Sequence, residues 1–315
     1  MKLVLAPLAG FTDAPFRRLC TEGGADLTYT EMVSAAALAH GNSPTRHLME
    51  TMAGEGPVGC QIFGADEEDV VRATREIERV KDRYCELNLN AGCPMTKVTK
   101  CGAGAKLVED PEKVHRLLKA MVANTTLPVT LKTRLGPHPA KTAVFELLDA
   151  AERAGAAGFA VHARYTSQMH GGPLHLDTLA EVVARAKIPV TGNGSVTDEA
   201  SLARMAETGV SAVMIGRAAM SNPYLFARLK GAAEAPALVP DVVSRHLAYL
   251  LEFRDFLAAK YPLDHVPSVD GFASVKMHVH LFRYFNGRPG AAALRARLNG
   301  VRTLSEIRSI IASAR

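Results

Sequence analysis

The chain has 315 residues, 48% of them hydrophobic and 22% charged, the balance of an ordinary globular protein built as one large domain and a smaller one. No apolar run approaches the ~20 residues of a membrane span, and the start Met1-Lys2-Leu3-Val4-Leu5-Ala6-Pro7 is too short and lacks the cleavage region of a secretory signal, so no membrane partner is expected. Five cysteines (Cys20, Cys60, Cys85, Cys93, Cys101) without CxxC spacing argue against a disulfide scaffold or a zinc site; a reducing cytoplasm fits, and no metal is expected.

Charge is unevenly placed. Residues 1–235 hold 26 Lys+Arg and 26 Asp+Glu, whereas residues 236–315 hold 11 against 6, so the whole formal charge of +5 lies in the last 80 residues. A basic segment on a neutral body points to a polyanionic partner. By charge alone, a solvated helical surface with a chance excess explains it equally well.

Short apolar runs alternate with helical patterns from the first residue. Strands are predicted at Leu3–Leu8, Leu27–Glu31, Val58–Phe63, Tyr84–Leu89, Val129–Arg134, Gly158–His162, Pro189–Gly192 and Ala212–Gly216. Helices fall between them at Glu67–Val80, Pro111–Asn124, Thr142–Ala154, Asp177–Ala186, Asp198–Glu207 and Pro223–Gly231. Continuous apolar strands alternating with amphipathic helices specify a parallel sheet covered on both faces. Eight such units in about 230 residues match a closed (β/α)8 TIM barrel. A doubly wound sheet fits less well, because the turn from Pro7 to Asp13 carries no dinucleotide fingerprint. After an Ala/Pro-rich linker at Ala232–Pro240, helical spacing returns: Val242 to Leu257, Phe272–Phe285, Ala291–Leu298 and Ser305–Ala314. The predicted division is therefore a barrel over residues 1–235 and a small all-helical domain over 236–315.

Active sites of such barrels gather where the strands end. Here those ends read Ala6-Pro7, Glu31, Gln61, Asn88 and Asn90, Lys132 and Arg134, His162, Gly192-Asn193-Gly194, and Gly216-Arg217, a set more polar than chance would give. The last two follow strands seven and eight, where backbone N–H groups freed by glycine, with Arg217 as a fixed charge, suit a phosphate. Lys132 and Arg134 project to one side of strand five and belong near the mouth, since a buried unpaired cation is costly. A lone strand-end histidine such as His162 is as readily structural.

After strand four the chain runs Asn88-Leu89-Asn90-Ala91-Gly92-Cys93-Pro94 and on to Cys101-Gly102-Ala103-Gly104-Ala105. Gly92 and Pro94 force a loop and put the Cys93 thiol on it. Placement on a loop after a strand favours function over a small core cysteine. Cys101 is the rival thiol.

Together these segments resemble the FMN-dependent tRNA-dihydrouridine synthases over nearly the whole chain. The resemblance is carried by Ala6-Pro7-Leu8-Ala9-Gly10-Phe11-Thr12-Asp13, Thr30-Glu31-Met32-Val33-Ser34-Ala35, Gln61-Ile62-Phe63-Gly64, Leu89-Asn90-Ala91-Gly92-Cys93-Pro94 and Lys132-Thr133-Arg134. It continues through Val161-His162-Ala163-Arg164, Gly192-Asn193-Gly194, Met214-Ile215-Gly216-Arg217-Ala218, Ser221-Asn222-Pro223, Lys276-Met277-His278 and Tyr284-Phe285-Asn286-Gly287. It implies reduction of the uracil C5–C6 bond in tRNA, with hydride passing from N5 of reduced FMN to C6 and Cys93 protonating C5. It further implies that Ala6, Pro7, Gln61, Lys132, His162, Asn193, Gly194, Gly216 and Arg217 hold FMN, that Asn90 and Arg134 meet the uracil, and that NADPH or NADH visits as reductant. The basic helical tail would grip RNA, and a monomer needs no further assumption. The alternative is a flavin reductase of another RNA, or of a small pyrimidine or enone. Departures from the family pattern at Tyr165, His170, Leu174-His175-Leu176 and Ser195 cluster in the loops after strands six and seven and bear on which RNA is bound.

Overall fold

The computed structural model describes residues 1–232, 241–264, 266–286 and 291–313. Nine strands form one parallel sheet: β1 (Lys2–Leu5), β2 (Thr28–Tyr29), β3 (Val33–Ser34), β4 (Val58–Phe63), β5 (Glu86–Ala91), β6 (Val129–Arg134), β7 (Gly158–His162), β8 (Val190–Asn193) and β9 (Ala212–Ile215). β2 and β3 both pair with β4, successive strands from β4 to β9 pair with one another, and β1 pairs with β9 from Lys2↔Ala212 to Leu5↔Ile215. The last gap, between β1 and β2, is bridged at Val4↔Leu27, with Leu3 O accepting from Asp26 N–H and Leu27 O from Leu5 N–H, both at 2.8 Å. The sheet is thus a (β/α)8 barrel, and the doubly wound alternative is excluded by closure.

The second barrel strand is split. Tyr29 pairs with Gly59, yet Val33 pairs with Ile62, so one extra residue is accommodated at Thr30-Glu31-Met32. Such a bulge re-aims side chains beside a site, and it turns Met32 into the barrel mouth. The expected single strand Leu27–Glu31 is therefore two short strands in the structure.

The helices are α1 (Ala14–Glu22), α2 (Ala35–Ala39), α3 (Ser43–His47), α4 (Glu67–Glu78), α5 (Thr96–Thr99), α6 (Pro111–Val122), α7 (Val144–Ala154), α8 (Leu176–Arg185), α9 (Glu199–Ala206), α10 (Arg217–Ser221) and α11 (Leu225–Leu229). Their starts follow local chemistry: Asp13, Asp66, Asp110 and Asp198 each cap a helix through the side chain, with proline in the first turn of α1 and α6. The predicted helix Pro223–Gly231 forms only at Leu225–Leu229, because Asn222 ends α10 and the chain turns before restarting.

Among the described residues four more helices follow: α12 (Val243–Lys260), α13 (Val269–Tyr284), α14 (Ala291–Leu298) and α15 (Leu304–Ser313). Helix α12 packs on α1, and α13 on α10, burying Leu250, Phe253, Met277, Leu281 and Tyr284 in a core continuous with that of the barrel. Apart from Ala232, the expected linker Ala232–Pro240 lies outside the described residues, as does the Gly287-Arg288-Pro289 turn. Among the described residues no helix is long and apolar enough to cross a membrane.

Candidate active site

The C-terminal ends of the strands surround a cavity of about 280 Å³. Of the twelve residues expected at a site, eleven line it: Ala6, Pro7, Asn90, Cys93, Lys132, Arg134, His162, Asn193, Gly194, Gly216 and Arg217. Gln61 does not. It is fully buried one layer below, where its amide bonds Asn88 and Asn90.

Cys93 sits half-buried on the loop that leaves β5. The loop is shaped by Asn90, whose side-chain carbonyl accepts the N–H groups of Gly92 (3.1 Å) and Cys93 (3.0 Å), a local turn that asparagine makes readily. Its amide nitrogen is spent on Gln61 (2.8 Å) and the Met32 sulfur (3.0 Å). Asn90 therefore holds the thiol loop in shape. Cys101 is exposed at the end of α5, where its thiol meets the Lys97 carbonyl at 3.6 Å; it takes no part in the cavity.

The cavity lining contains Lys132, Arg134 and Arg217 and no carboxylate. Burial and the neighbouring Arg134 push the Lys132 ammonium down to about 8, and Lys132 donates to Asn193 Oδ1 at 3.3 Å. Arg134 is almost fully buried, and it donates to three loop carbonyls: Gly92 (2.8 Å), Tyr165 (3.3 Å) and Met169 (2.7 Å). It ties the Cys93 loop to the loop after β7, and burial holds its pKa down to about 10, still charged. His162 is kept neutral by burial first, then by Arg134, Lys132 and Arg164. A neutral imidazole among cations can offer one N–H to an acceptor without adding charge.

At the far wall Gly194 stands at φ 140°, and a Cβ there would meet Leu174 at 2.5 Å, so only glycine fits. Ser195 follows in left-handed backbone (φ 48°) and accepts from Arg164 at 2.9 Å, while Arg217 donates to the His170 carbonyl at 3.3 Å. Of the positions that depart from the family pattern, His170 and Ser195 line the cavity and Leu174 lies against this wall, whereas the Tyr165 hydroxyl turns to Thr142. Arg164, Met32 and the lining role of His170 escaped the sequence. For Arg164 a signal was present, since it lies two residues beyond His162. The glycine backbone and the unopposed cations fit an anionic phosphate group, and neutral His162 fits a ligand edge that needs a hydrogen-bond donor.

Three comparisons bear on this geometry. Residues 4–313 match the family described as dihydrouridine synthase. A tRNA-dihydrouridine synthase B of Xanthomonas campestris pv. campestris is 33% identical over 311 residues, covering 96% of this chain and 89% of that protein. A probable tRNA-dihydrouridine synthase of Mycobacterium tuberculosis is 33% identical over 320 residues, covering 97% and 80%. Among solved structures, an old yellow enzyme homologue from Zymomonas mobilis superposes with a TM-score of 0.53 at 12% identity, over 76% of this chain and 91% of that one, a likeness of fold.

Proposed function

This chain belongs to the dihydrouridine synthase family, and on that premise we propose that it reduces the C5–C6 double bond of uridines in tRNA to 5,6-dihydrouridine. The observation that carries the reading is a half-buried thiol, Cys93, on the lip of a barrel-mouth cavity whose charged lining is wholly cationic. The cofactor is FMN, which when reduced supplies the hydride to C6, with NADPH or NADH as the source of reducing equivalents. Pro7, Ala6 and His162 would hold the flavin ring, Lys132 would balance negative charge on it, and Asn193, Gly194, Gly216 and Arg217 would take the phosphate. The fit rests on two features: lining cations without a carboxylate, and a glycine cradle that a Cβ would fill.

Cys93 acts as general acid at uracil C5. The task needs a thiol that keeps its proton until charge develops on the carbon. Asn90 and Arg134 fix the loop that carries it, through the Gly92 and Cys93 N–H groups and the Gly92 carbonyl. A stacked base cannot enter such a cavity, so the uridine arrives everted from the RNA.

Residues 236–315 form the RNA-gripping part, acting beside the barrel of residues 1–235 in a monomer in the cytoplasm. Support comes from a second cavity of about 460 Å³ where the barrel loop meets α13, lined by Phe11, His278, Phe282, Arg283, Asn286 and Arg295. Rings for stacking beside two arginines and no acid are suited to unstacked bases and phosphates.

The test is mass spectrometry of dihydrouridine in unmodified tRNA incubated with flavin-loaded protein and NADPH. Wild type forms dihydrouridine at defined positions. Cys93→Ala retains its flavin and turns over about 10²–10⁴-fold more slowly, the range a general acid contributes. Full activity in Cys93→Ala would remove the proton-donor role, and no dihydrouridine from wild type would remove tRNA as substrate.

A further inference from the structure

Barrel interiors are ordinarily packed with branched apolar side chains, yet this one carries a line of polar groups running nearly its full height, buried at Asn90, Gln61, Asn88 and Thr130 and half-buried at Glu86. On β5 the alternate residues Glu86, Asn88 and Asn90 point inward, flanked by Gln61 of β4 and Thr130 of β6, each opposite Asn88 in register. From the mouth downward, Asn90 Nδ2 donates to Gln61 Oε1 (2.8 Å), Gln61 Nε2 to Asn88 Oδ1 (2.7 Å), Asn88 Nδ2 to Thr130 Oγ1 (2.8 Å), and Thr130 Oγ1 to Glu86 Oε1 (2.7 Å). Tyr29 OH donates to the same carboxylate oxygen. Gly59 makes that last contact feasible, because a Cβ there would strike the Tyr29 ring at 2.5 Å.

The direction of every bond in this ladder is set by its ends. At the base Glu86, as a carboxylate, can only accept. At the top the Gly92 and Cys93 backbone N–H groups can only donate, and both give to Asn90 Oδ1. An amide presents a donor on one side and an acceptor on the other, so one orientation of Gln61, Asn88 and Asn90 satisfies all members at once. Turning any one amide over sets NH2 against N–H or carbonyl against carbonyl. Reversed as a whole, the ladder would press the Asn90 NH2 onto the two N–H groups of the thiol loop. Burying this many polar groups is costly unless each is paired, and here each is.

We infer that Glu86, Thr130, Asn88 and Gln61 are positioning residues for the proton donor: through a polarised side-chain ladder, the carboxylate at the base of the barrel fixes the orientation of the Asn90 amide and with it the place of the Cys93 thiol at the mouth. None of the four lines the cavity at the mouth. Glu86, Thr130, Asn88 and Tyr29 instead border a cavity at the opposite end of the barrel. The inference rests on the proposed role of Cys93, but the geometry it predicts can be read without turnover.

The experiment uses the full chain carrying Thr130→Val, which keeps shape and deletes the middle hydroxyl, and Thr130→Ser, which restores it. Cys93 alkylation by iodoacetamide is followed peptide by peptide, with the exposed Cys101 in the same molecule as internal reference. A loosened loop exposes its thiol, so Thr130→Val is expected to raise the Cys93 rate about threefold or more relative to Cys101, while Thr130→Ser matches wild type. With tRNA, Thr130→Val lowers kcat about tenfold at unchanged flavin content and KM, as expected when a reacting group is displaced by a fraction of an ångström. If Thr130→Val fails to fold, Tyr29→Phe carries the test, with the same signs and a smaller size. Equal Cys93 rates in wild type, Thr130→Val and Tyr29→Phe would overturn the ladder. Wild type that reduces no tRNA would overturn the proposed function alone, since the alkylation comparison still decides the ladder.

Discussion

The barrel mouth and the junction between the barrel and the C-terminal helices both bury charge and histidine, but they balance it in opposite ways. At the mouth, Lys132, Arg134 and Arg217 face a cavity with no carboxylate lining it. At the junction, Lys276 of α13 lies 3.2 Å from Asp13 and 3.9 Å from Glu31, and buried Arg17 pairs with Glu55 at 2.6 Å. Lys260 and Arg83 both pair with Glu50, at 2.6 and 3.1 Å. Buried charge costs several kcal/mol per ion unless it is compensated. Compensation within the chain marks structure; its absence marks a place where a ligand completes the balance. His246 and His280 are buried at this junction: His246 Nδ1 meets the Tyr284 hydroxyl at 2.8 Å, while His246 Nε2 and both His280 ring nitrogens have no partner among the described residues. They lie with Asp13 so that their ligand atoms fall within 4.8 Å of one another, a spacing that suits a metal ion. The Lys276 ammonium already supplies the cation there, holding the Asp13 carboxyl below its usual range against the burial that pushes it up.

The strongest way to break this contrast is with pH at the junction. Burial holds His280 down to about 4, against 6.5 when unfolded, and holds His246 well below its usual value as well. Between pH 6.5 and 4 the unfolded chain binds protons that the folded chain refuses, so stability falls as pH drops. The loss from His280 alone is on the order of 3 kcal/mol. Thermal melts at pH 7, 5.5 and 4.5 should show it, and His280→Phe should flatten the slope.

Lys276→Met leaves Asp13 and Glu31 without their cation and should cost about 2 kcal/mol in a denaturant melt, discounted because the lysine is partly exposed. Lys132→Met should do the reverse at the mouth, leaving flavin-free stability unchanged or up to about 1 kcal/mol higher while flavin affinity falls about tenfold or more. Wild-type flavin affinity should decline as pH rises through about 8, where free Lys132 loses its proton, and the variant should lose that dependence. Equal stability effects from the two lysines would dissolve the comparison. The smallest effect is expected at the second cavity, where Arg295→Gln should weaken tRNA binding uniformly and reduce the salt slope by about one.

Much of the fold was legible because its signals are local. The strands Val58–Phe63, Val129–Arg134 and Gly158–His162 form as read, since continuous apolar runs admit little else between polar helices. Helix α1 lies outside the helices expected from periodicity, although Asp13 caps it and Pro15 sits in its first turn. The bulge at Thr30-Glu31-Met32 leaves no local trace, because it exists only in register against β4.

For the candidate site, the sequence by itself determined which residues would gather at one end of the barrel. Strand ends can be counted along the chain, and barrel closure brings all of them to one mouth, so eleven of twelve named residues meet there. What each does was decided by tertiary structure. Gln61, expected against the cofactor, lies beneath Asn90 in the ladder. Asn90 and Arg134, expected against the uracil, line the cavity and also brace the Cys93 loop, Asn90 Oδ1 accepting from the Cys93 N–H and Arg134 donating to the Gly92 carbonyl. The physical reason is that an amide or guanidinium takes its role from the partners it finds. Here those partners, Glu86, Thr130 and the Met169 carbonyl, come from other strands and loops brought alongside only when the barrel closes.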